Sequence, residues 1–271
     1  ARDWNLPLWQ ARHGALATAT AVDAMALLGQ AAPVALNRRR VMMEVRADSR
    51  LRARASQTPE TVRRAARAGD IVIDHFHRPY ANFFAVEEFD LRFRRFDGTF
   101  SPQINRAIFI SGDAVTVLPY DPLRDRLLLV EQFRAGPFAR GDRNPWALEA
   151  IAGRIDPGER PEDCARREAI EEAGLTLDRL EFVAGHYPSP AAKTEYLYSY
   201  IALTDLPDGA AGVFGVAGEA EDIKGHLLPF EQAMQMVASG EIENGPLLVT
   251  LLWLARERAR LRAEAETGPG A

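Results

Sequence analysis

Gly153-Arg154-Ile155-Asp156-Pro157-Gly158-Glu159, followed after seven residues by Arg167-Glu168-Ala169-Ile170-Glu171-Glu172-Ala173-Gly174-Leu175, is the stretch on which the reading turns. A glycine-bounded loop runs into a segment with Pro161 at its first turn and Glu162 and Asp163 beside it, choices that favour the start of a helix. Gly174 suits the left-handed position just past a helix end, so the spacing predicts a helix over 162–173, about three turns long. On it Glu168 and Glu172 are i,i+4 neighbours, and Glu171 lies three residues from Glu168, so all three carboxylates point to one side. Like charges at this spacing cost roughly 0.2–0.5 kcal/mol per pair. A divalent cation with hard oxygen ligands offsets that cost, Mg²⁺ being the usual choice near phosphates. Glu159, in the loop just ahead, can fold back onto the same place. The bland alternative is a solvated face whose glutamates pair with Arg166 and Arg167.

Outward from this segment the texture is that of an ordinary globular chain: 271 residues, 47% hydrophobic and 26% charged, enough to bury a core. The net charge of −5, mixed along the chain, argues against general nucleic-acid binding, which needs a basic face. An acidic protein acting on an anion needs bound metal and a few placed arginines. No apolar run reaches membrane-spanning length, and the first residues lack the pattern of a secretory signal. The absence of an initial methionine suggests processing or a start within a longer product. The lone Cys164 excludes an intrachain disulfide and suits a reducing cytoplasm.

Residues 1–70 read as a helical N-terminal segment without a chemical motif, with helix expected over 15–28 and a basic amphipathic stretch at 59–67. From Ile71 the chain turns β-rich: 71–76, 83–96 and 104–111, with Asp97-Gly98 as a turn signal. These form an expected small antiparallel β domain over 71–111. Strands over 114–120, 126–133, 181–187, 196–203 and 226–229, with helices over 162–173, 230–239 and 246–262, make 112–265 a second domain. The residues after Arg262 are polar, and 266–271 are expected to be a disordered tail. The order of elements gives an α+β class, an α/β/α sandwich preceded by the small sheet. His75, His77, His186 and His226 have no metal-ligand spacing with the 153–175 segment and read as packing or surface residues.

The segment 153–175 resembles, at every fixed position, the Nudix box G-x5-E-x7-R-E-U-x-E-E-x-G-U, where U is a bulky aliphatic; Ala169 is small for its U position. The resemblance implies a Nudix fold and cleavage of a nucleoside diphosphate linked to another group. It implies metals, Mg²⁺ with Mn²⁺ as a possible substitute, held by Glu168, Glu172, Glu159 and the carbonyl of Ala152, with Glu171 assisting and Arg167 bracing loop and carboxylates. Ser189-Pro190-Ala191-Ala192-Lys193-Thr194-Glu195, with Pro190 fifteen residues after Leu175, is similar to the loop that marks bacterial ADP-ribose pyrophosphatases. There Glu195 corresponds to the candidate general base. Ala191 and Ala192 stand where that family often has glycines, which implies a stiffer loop.

The similarity extends over Asp74 to Arg262, through 96–98, 105–109, 117–122, 130–134, 146–149, 219–223 and 242–244. Residues 1–70 lie outside it, although the N-terminal part resembles the Nudix-containing tellurite-resistance proteins. The subfamily implies a homodimer that exchanges the small sheet, with Phe83 or Phe84 and Arg92 sandwiching adenine, and Arg106 and Arg134 near the phosphates. Glu149 and Pro190 complete the implied substrate contacts. Tyr187 and Tyr196 flank the Pro190 loop and can shape its exit. The expected reaction is hydrolysis of ADP-ribose to AMP and ribose 5-phosphate, without nucleic acid or membrane as partner. Two alternatives stand beside it: a GDP-mannose or other nucleotide-sugar pyrophosphatase, and a non-catalytic ADP-ribose-binding module, against which the intact Glu168, Glu171 and Glu172 weigh.

Overall fold

The computed structural model describes residues 4–29, 32–215 and 222–267; the resemblance over 219–221 lies outside them. Of the tail expected to be disordered over 266–271, Glu266 and Thr267 are instead helical, while 268–271 lie outside the described residues. The chain divides into two compact units, Ala1–Asp113 with Ser189–Glu195, and Ala114–Pro188 with Tyr196–Ala271.

The first unit opens with a helical pair, α1 (Leu6–Met25) and α2 (Pro33–Ala55). The Asn5 side chain accepts the Leu8 N–H at 3.0 Å, capping α1, and Pro33 occupies the first turn of α2. Both devices satisfy or remove amides that a helix start leaves without partners. The three strands β1 (Ile71–Ala81), β2 (Ala85–Phe93) and β3 (Ile104–Ile110) form an antiparallel sheet in that order. Leu27, Met43, Ala81, Ala85 and Ile110 close a small core between helices and sheet. Around it lies a buried charge network: Asp23 pairs with Arg46 at 3.0 Å, Arg50 at 3.1 Å and Arg78 at 2.9 Å, while Arg50 also reaches Glu87 at 2.7 Å. Burial pulls the Arg46 guanidinium below its ordinary value, and Asp23 opposes that. The basic stretch over 59–67, expected as helix, is irregular. Val62 is 97% exposed, and a short helix with no apolar face to bury has little to stabilise it. Asp97-Gly98 does turn the chain, with Gly98 at φ 88°, inside a loop closed by a bridge between Arg94 and Phe100.

The second unit is a mixed sheet with helices on both faces. Its strands are β4 (Ala114–Asp121), β5 (Arg126–Phe133), β6 (Trp146–Glu149), β7 (Ile151–Arg154), β8 (Arg179–His186), β9 (Leu197–Leu203), β10 (Val213–Phe214) and β11 (Ile223–Pro229). The main path runs β10-β11-β5-β4-β9-β8, with β6 paired to β5 and β7 to β4. β4 and β9 are parallel, Val115 facing Tyr198 and Val117 facing Tyr200.

The run Leu127-Leu128-Leu129-Val130 shows why the sheet is covered twice. Leu128 and Val130 enter the core under α4 (Pro161–Ala173), whereas Leu127 and Leu129 enter the core under α5 (Phe230–Ser239) and α6 (Gly245–Thr267). Side chains alternate across a strand, so a continuous apolar run needs cover on both faces. The result is the expected α/β/α sandwich. α6 continues to Thr267, past the Arg262 boundary expected for it, because Leu261 is fully buried and Arg258 and Arg262 pair with Asp125. A short helix, α3 (Ala135–Arg140), and the brief strands β6, β7 and β10 carry too few residues for a periodic signal. Among the described residues no helix is long and apolar enough to cross a membrane.

Candidate functional site

The box folds as a strand, a loop and a helix. Pro161 opens α4 with Glu162 and Asp163 in its first turn, and Gly174 closes it at φ 63°. The Gly174 N–H bonds the Ile170 carbonyl and the Leu175 N–H bonds the Ala169 carbonyl, each at 3.0 Å, the paired bonds that end a helix on a left-handed glycine. Cys164, Ala165, Ala169 and Ala173 turn to the core. Ala169, small for its place in the box, is wholly buried; its size suits close packing of the helix on the sheet. Burial also pushes the Cys164 thiol well above its usual range, which makes it a packing residue.

On the other side of that contact, Gly153 in β7 has no side chain because Glu168 occupies the space. A Cβ there would lie 1.8 Å from Glu168 Cδ and Oε1. Glu172, 3% exposed, accepts the Ala152 N–H at 3.0 Å, tying the helix to the backbone one residue earlier. Arg167 gathers the rest. Its Nε and Nη2 donate to Glu159 Oε1 and Oε2, both at 3.0 Å, and its Nη1 donates to Glu168 at 2.6 Å and Glu171 at 3.1 Å. Nη2 also reaches the Arg154 carbonyl at 3.1 Å. Burial would raise the Glu159 carboxyl, but the Arg167 bonds and the Asp156 N–H outweigh it and hold that carboxyl below the usual range. The same bonds raise Arg167 further.

Three glutamates, Glu159, Glu168 and Glu171, thus surround one guanidinium, and Glu172 lies beside them on the Ala152 amide. Among the described residues no three His, Cys, Asp or Glu side chains converge into a finished metal cage. The donors nevertheless fit a hard divalent cation. They are all oxygen, they outnumber their compensating charge, and Mg²⁺ binds through one or two carboxylates while keeping several waters.

Elsewhere in the same unit, Arg134 Nε donates to Glu149 Oε2 at 2.9 Å, and Asn244 Nδ2 donates to Glu149 Oε1 at 2.9 Å. Asn244 also caps α6 by accepting the Leu247 N–H. Tyr187 and Tyr196, at the two ends of the Pro190 loop, meet edge to face at 4.9 Å.

In the first unit, Phe83 and Phe84 lie in the β1–β2 connection. Phe84 touches Phe83 at 4.8 Å and Phe109 at 4.5 Å between ring centres. Arg92 sits seven residues beyond Ala85 along β2, about 23 Å at strand rise, and is held by Asp74 through two bonds of 2.7 and 3.0 Å. One chain therefore does not bring Arg92 together with Phe83 or Phe84, because they occupy opposite ends of one hairpin. Arg106 is exposed on β3 and donates to its neighbour's carbonyl, that of Asn105.

The segment Ser189–Glu195 belongs to this unit. Pro190 and Ala191 form a tight turn in which the Ala192 and Lys193 N–H groups bond the Ser189 carbonyl. Among the described residues Asp125 is the non-glycine with positive φ, so Ala191 and Ala192 occupy this turn without left-handed strain. Lys193 Nζ holds Glu195 Oε2 at 2.6 Å. No sequence signal assigns a role to Asn244, Lys193 or Thr194. Their partners lie 95, 2 and 83 residues away, and only the Lys193–Glu195 spacing is local enough to have signalled itself.

A family model described as the NUDIX domain matches residues 111–250. An Escherichia coli K12 protein named ADP-ribose pyrophosphatase is 40% identical over 185 residues, 68% of this chain and 88% of the relative. An Enterobacter protein named GDP-mannose pyrophosphatase is 34% identical over 149 residues, 55% of this chain and 76% of the relative. A crystal structure described as an ADP compounds hydrolase superposes with TM-score 0.57 at 20% identity, over 73% of this chain and 100% of that one, a likeness of fold.

Proposed function

The chain belongs to the Nudix family, and on that premise we propose that it is a pyrophosphohydrolase that cleaves ADP-ribose to AMP and ribose 5-phosphate with a divalent metal, Mg²⁺ or, in its place, Mn²⁺. The observation that carries the reading is the carboxylate array of α4, with Glu168 against Gly153 and Glu172 on the Ala152 amide. The substrate follows the E. coli relative, the more similar over the longer stretch. Glu168, Glu172, Glu159 and the Ala152 carbonyl would hold the cation. When bound, it supplies positive charge against the diphosphate and makes an attacking water more acidic.

This chain's residues do the rest. Arg167 holds Glu159, Glu168 and Glu171 so that their repulsion does not splay the site. Glu172 fixes the Ala152 backbone. Glu195 accepts the proton of the attacking water; the water oxygen bonds to phosphorus, and the bridging phosphorus–oxygen bond breaks. Arg106 and Arg134 offset the phosphate charge, with Glu149 orienting Arg134. Pro190 shapes the turn ahead of Glu195. Phe83 or Phe84 and Arg92 embrace the adenine only if two chains contribute, because one chain separates them by about 23 Å; this favours a homodimer that exchanges the small sheet. The lone buried cysteine favours a reducing compartment, the cytoplasm.

The test is ADP-ribose turnover with Mg²⁺, with a chelator, and in a Glu172→Gln variant. We expect metal-dependent release of AMP that falls at least about 100-fold in the variant with an unchanged melting temperature. Near wild-type turnover of Glu172→Gln at saturating Mg²⁺ would falsify the metal assignment.

A further inference from the structure

Glu195 lies on a loop, and a base on a loop is only as well placed as the loop is. Residues Ala192–Thr194 pair with the edge of the small sheet through a single parallel bridge. The Phe109 N–H donates to the Ala192 carbonyl at 2.9 Å, the Thr194 N–H donates to the Phe109 carbonyl at 3.0 Å, and Phe109 and Lys193 form a parallel bridge. β3 is the edge strand of its sheet, so its outer amides and carbonyls are open to such pairing.

The Thr194 hydroxyl then locks the register. It accepts the Ser111 N–H and donates to the Ser111 carbonyl, both at 3.0 Å. One side chain thereby satisfies both main-chain groups of a buried residue, an arrangement that a shift of one residue would abolish.

The receiving segment is itself held from behind. Asp113, two residues on, accepts Ser49 Oγ at 2.6 Å and Arg52 Nε at 2.8 Å, both from α2. Burial raises the Asp113 carboxyl above its ordinary value despite those donors. The stretch 111–113 is thus gripped by a helix on one side and by the Thr194 hydroxyl on the other.

We propose that Thr194 is a positioning residue for Glu195: its reciprocal bonds to Ser111 seat the loop on β3 and so set where the carboxylate stands. The proposal rests on the reading of Glu195 as the base. Val is nearly isosteric with Thr but loses both bonds, whereas Ser keeps the hydroxyl.

The test is a cycle of wild type, Thr194→Val, Glu195→Gln and the double variant, with Thr194→Ser beside them, read as kcat and KM on ADP-ribose. Amide exchange of the peptide covering 189–195 is followed in the same proteins. We expect Thr194→Val to lower kcat about 10-fold or more, as a misplaced catalytic group does, with KM little changed and faster exchange of that peptide. Thr194→Ser should restore kcat to within about threefold, and Thr194→Val should add nothing in the Glu195→Gln background, since a residue that acts through another has no effect once that other is gone.

Three outcomes overturn the idea. Thr194→Val with wild-type kcat and exchange, beside a Glu195→Gln that is crippled, refutes the positioning role alone. Fully additive losses in the double variant show that Thr194 acts elsewhere. A Glu195→Gln enzyme with unchanged kcat removes the base assignment and the positioning role with it. Should Thr194→Val fold poorly, the Thr194→Ser protein and its exchange decide the same point, because slack there despite a retained hydroxyl also contradicts the lock.

Discussion

Replacing Gly153 by Ala puts a methyl group where Glu168 now rests. The new Cβ would stand 1.8 Å from both Cδ and Oε1 and 2.3 Å from Cγ of that side chain. Ordinary carbon contacts lie at about 3.5–4.0 Å, so the carboxylate must retreat by about 2 Å. Gly153 has no left-handed φ, and the obstructing atoms are the far end of a flexible chain. The fold can therefore accommodate the methyl by swinging Glu168 aside, at a cost within the roughly 1–3 kcal/mol typical of overpacking. The site cannot. Displacement of about 1 Å can cost 100-fold, so kcat should fall at least about 100-fold, close to 2.7 kcal/mol of barrier. The assay is Mg²⁺-dependent AMP release at saturating ADP-ribose, with a thermal melt on the same samples. A Gly153→Ala enzyme within about threefold of wild type would refute the argument that Glu168 must lie on bare backbone. A protein that fails to fold would refute its steric half.

Further outcomes follow from the charges outside the site. Asp23→Asn leaves Arg46, Arg50 and Arg78 with Glu87 as the remaining acid of their network. Stripping a buried pair of one partner costs about 3–5 kcal/mol, so the denaturant midpoint should drop accordingly, and a loss below about 1 kcal/mol would contradict the network's importance. Asp125 receives Arg258, Arg262 and the Tyr120 hydroxyl, and these outweigh its burial to hold its carboxyl below the ordinary 3.8. A depressed folded value means that the contribution is present above the unfolded value and is lost as pH falls through the folded one. Melting temperature should therefore fall more steeply below pH 4 in the wild type than in Asp125→Asn; parallel curves would rule Asp125 out as a source of that slope.

The second unit was legible because its signals are local. The proline, the acidic first turn and the glycine that bound α4 lie within fifteen residues, and the alternating core of β5 is written in four consecutive apolar residues. Local patterns also misled. The arginines over 59–67 suggested an amphipathic helix, yet Val62 finds nothing to pack on. Phe83 and Arg92, linked by the resemblance to a dimer and not by a local pattern, lie at opposite ends of the hairpin that β1 and β2 form, a separation that spacing alone does not show. Ser49, Asp113, Ser111 and Thr194 make a chain of contacts across 64 and 83 residues, a distance at which spacing carries no information. The role of Gly153 was equally hidden, since its reason is a side chain fifteen residues on that folds back over it.

What the purified protein does to two substrates tests the assigned chemistry most directly. Initial rates on ADP-ribose and on GDP-mannose, each with Mg²⁺ and with chelator and with products identified, give the ratio of kcat/KM directly. Metal-dependent release of AMP and ribose 5-phosphate is expected, with ADP-ribose preferred by about 10-fold or more, the scale of a few stacking and edge contacts. Preference for GDP-mannose would keep the carboxylate chemistry and overturn the adenine contacts assigned to Phe83, Phe84 and Arg92. Tight binding of ADP-ribose without turnover would contradict the central claim.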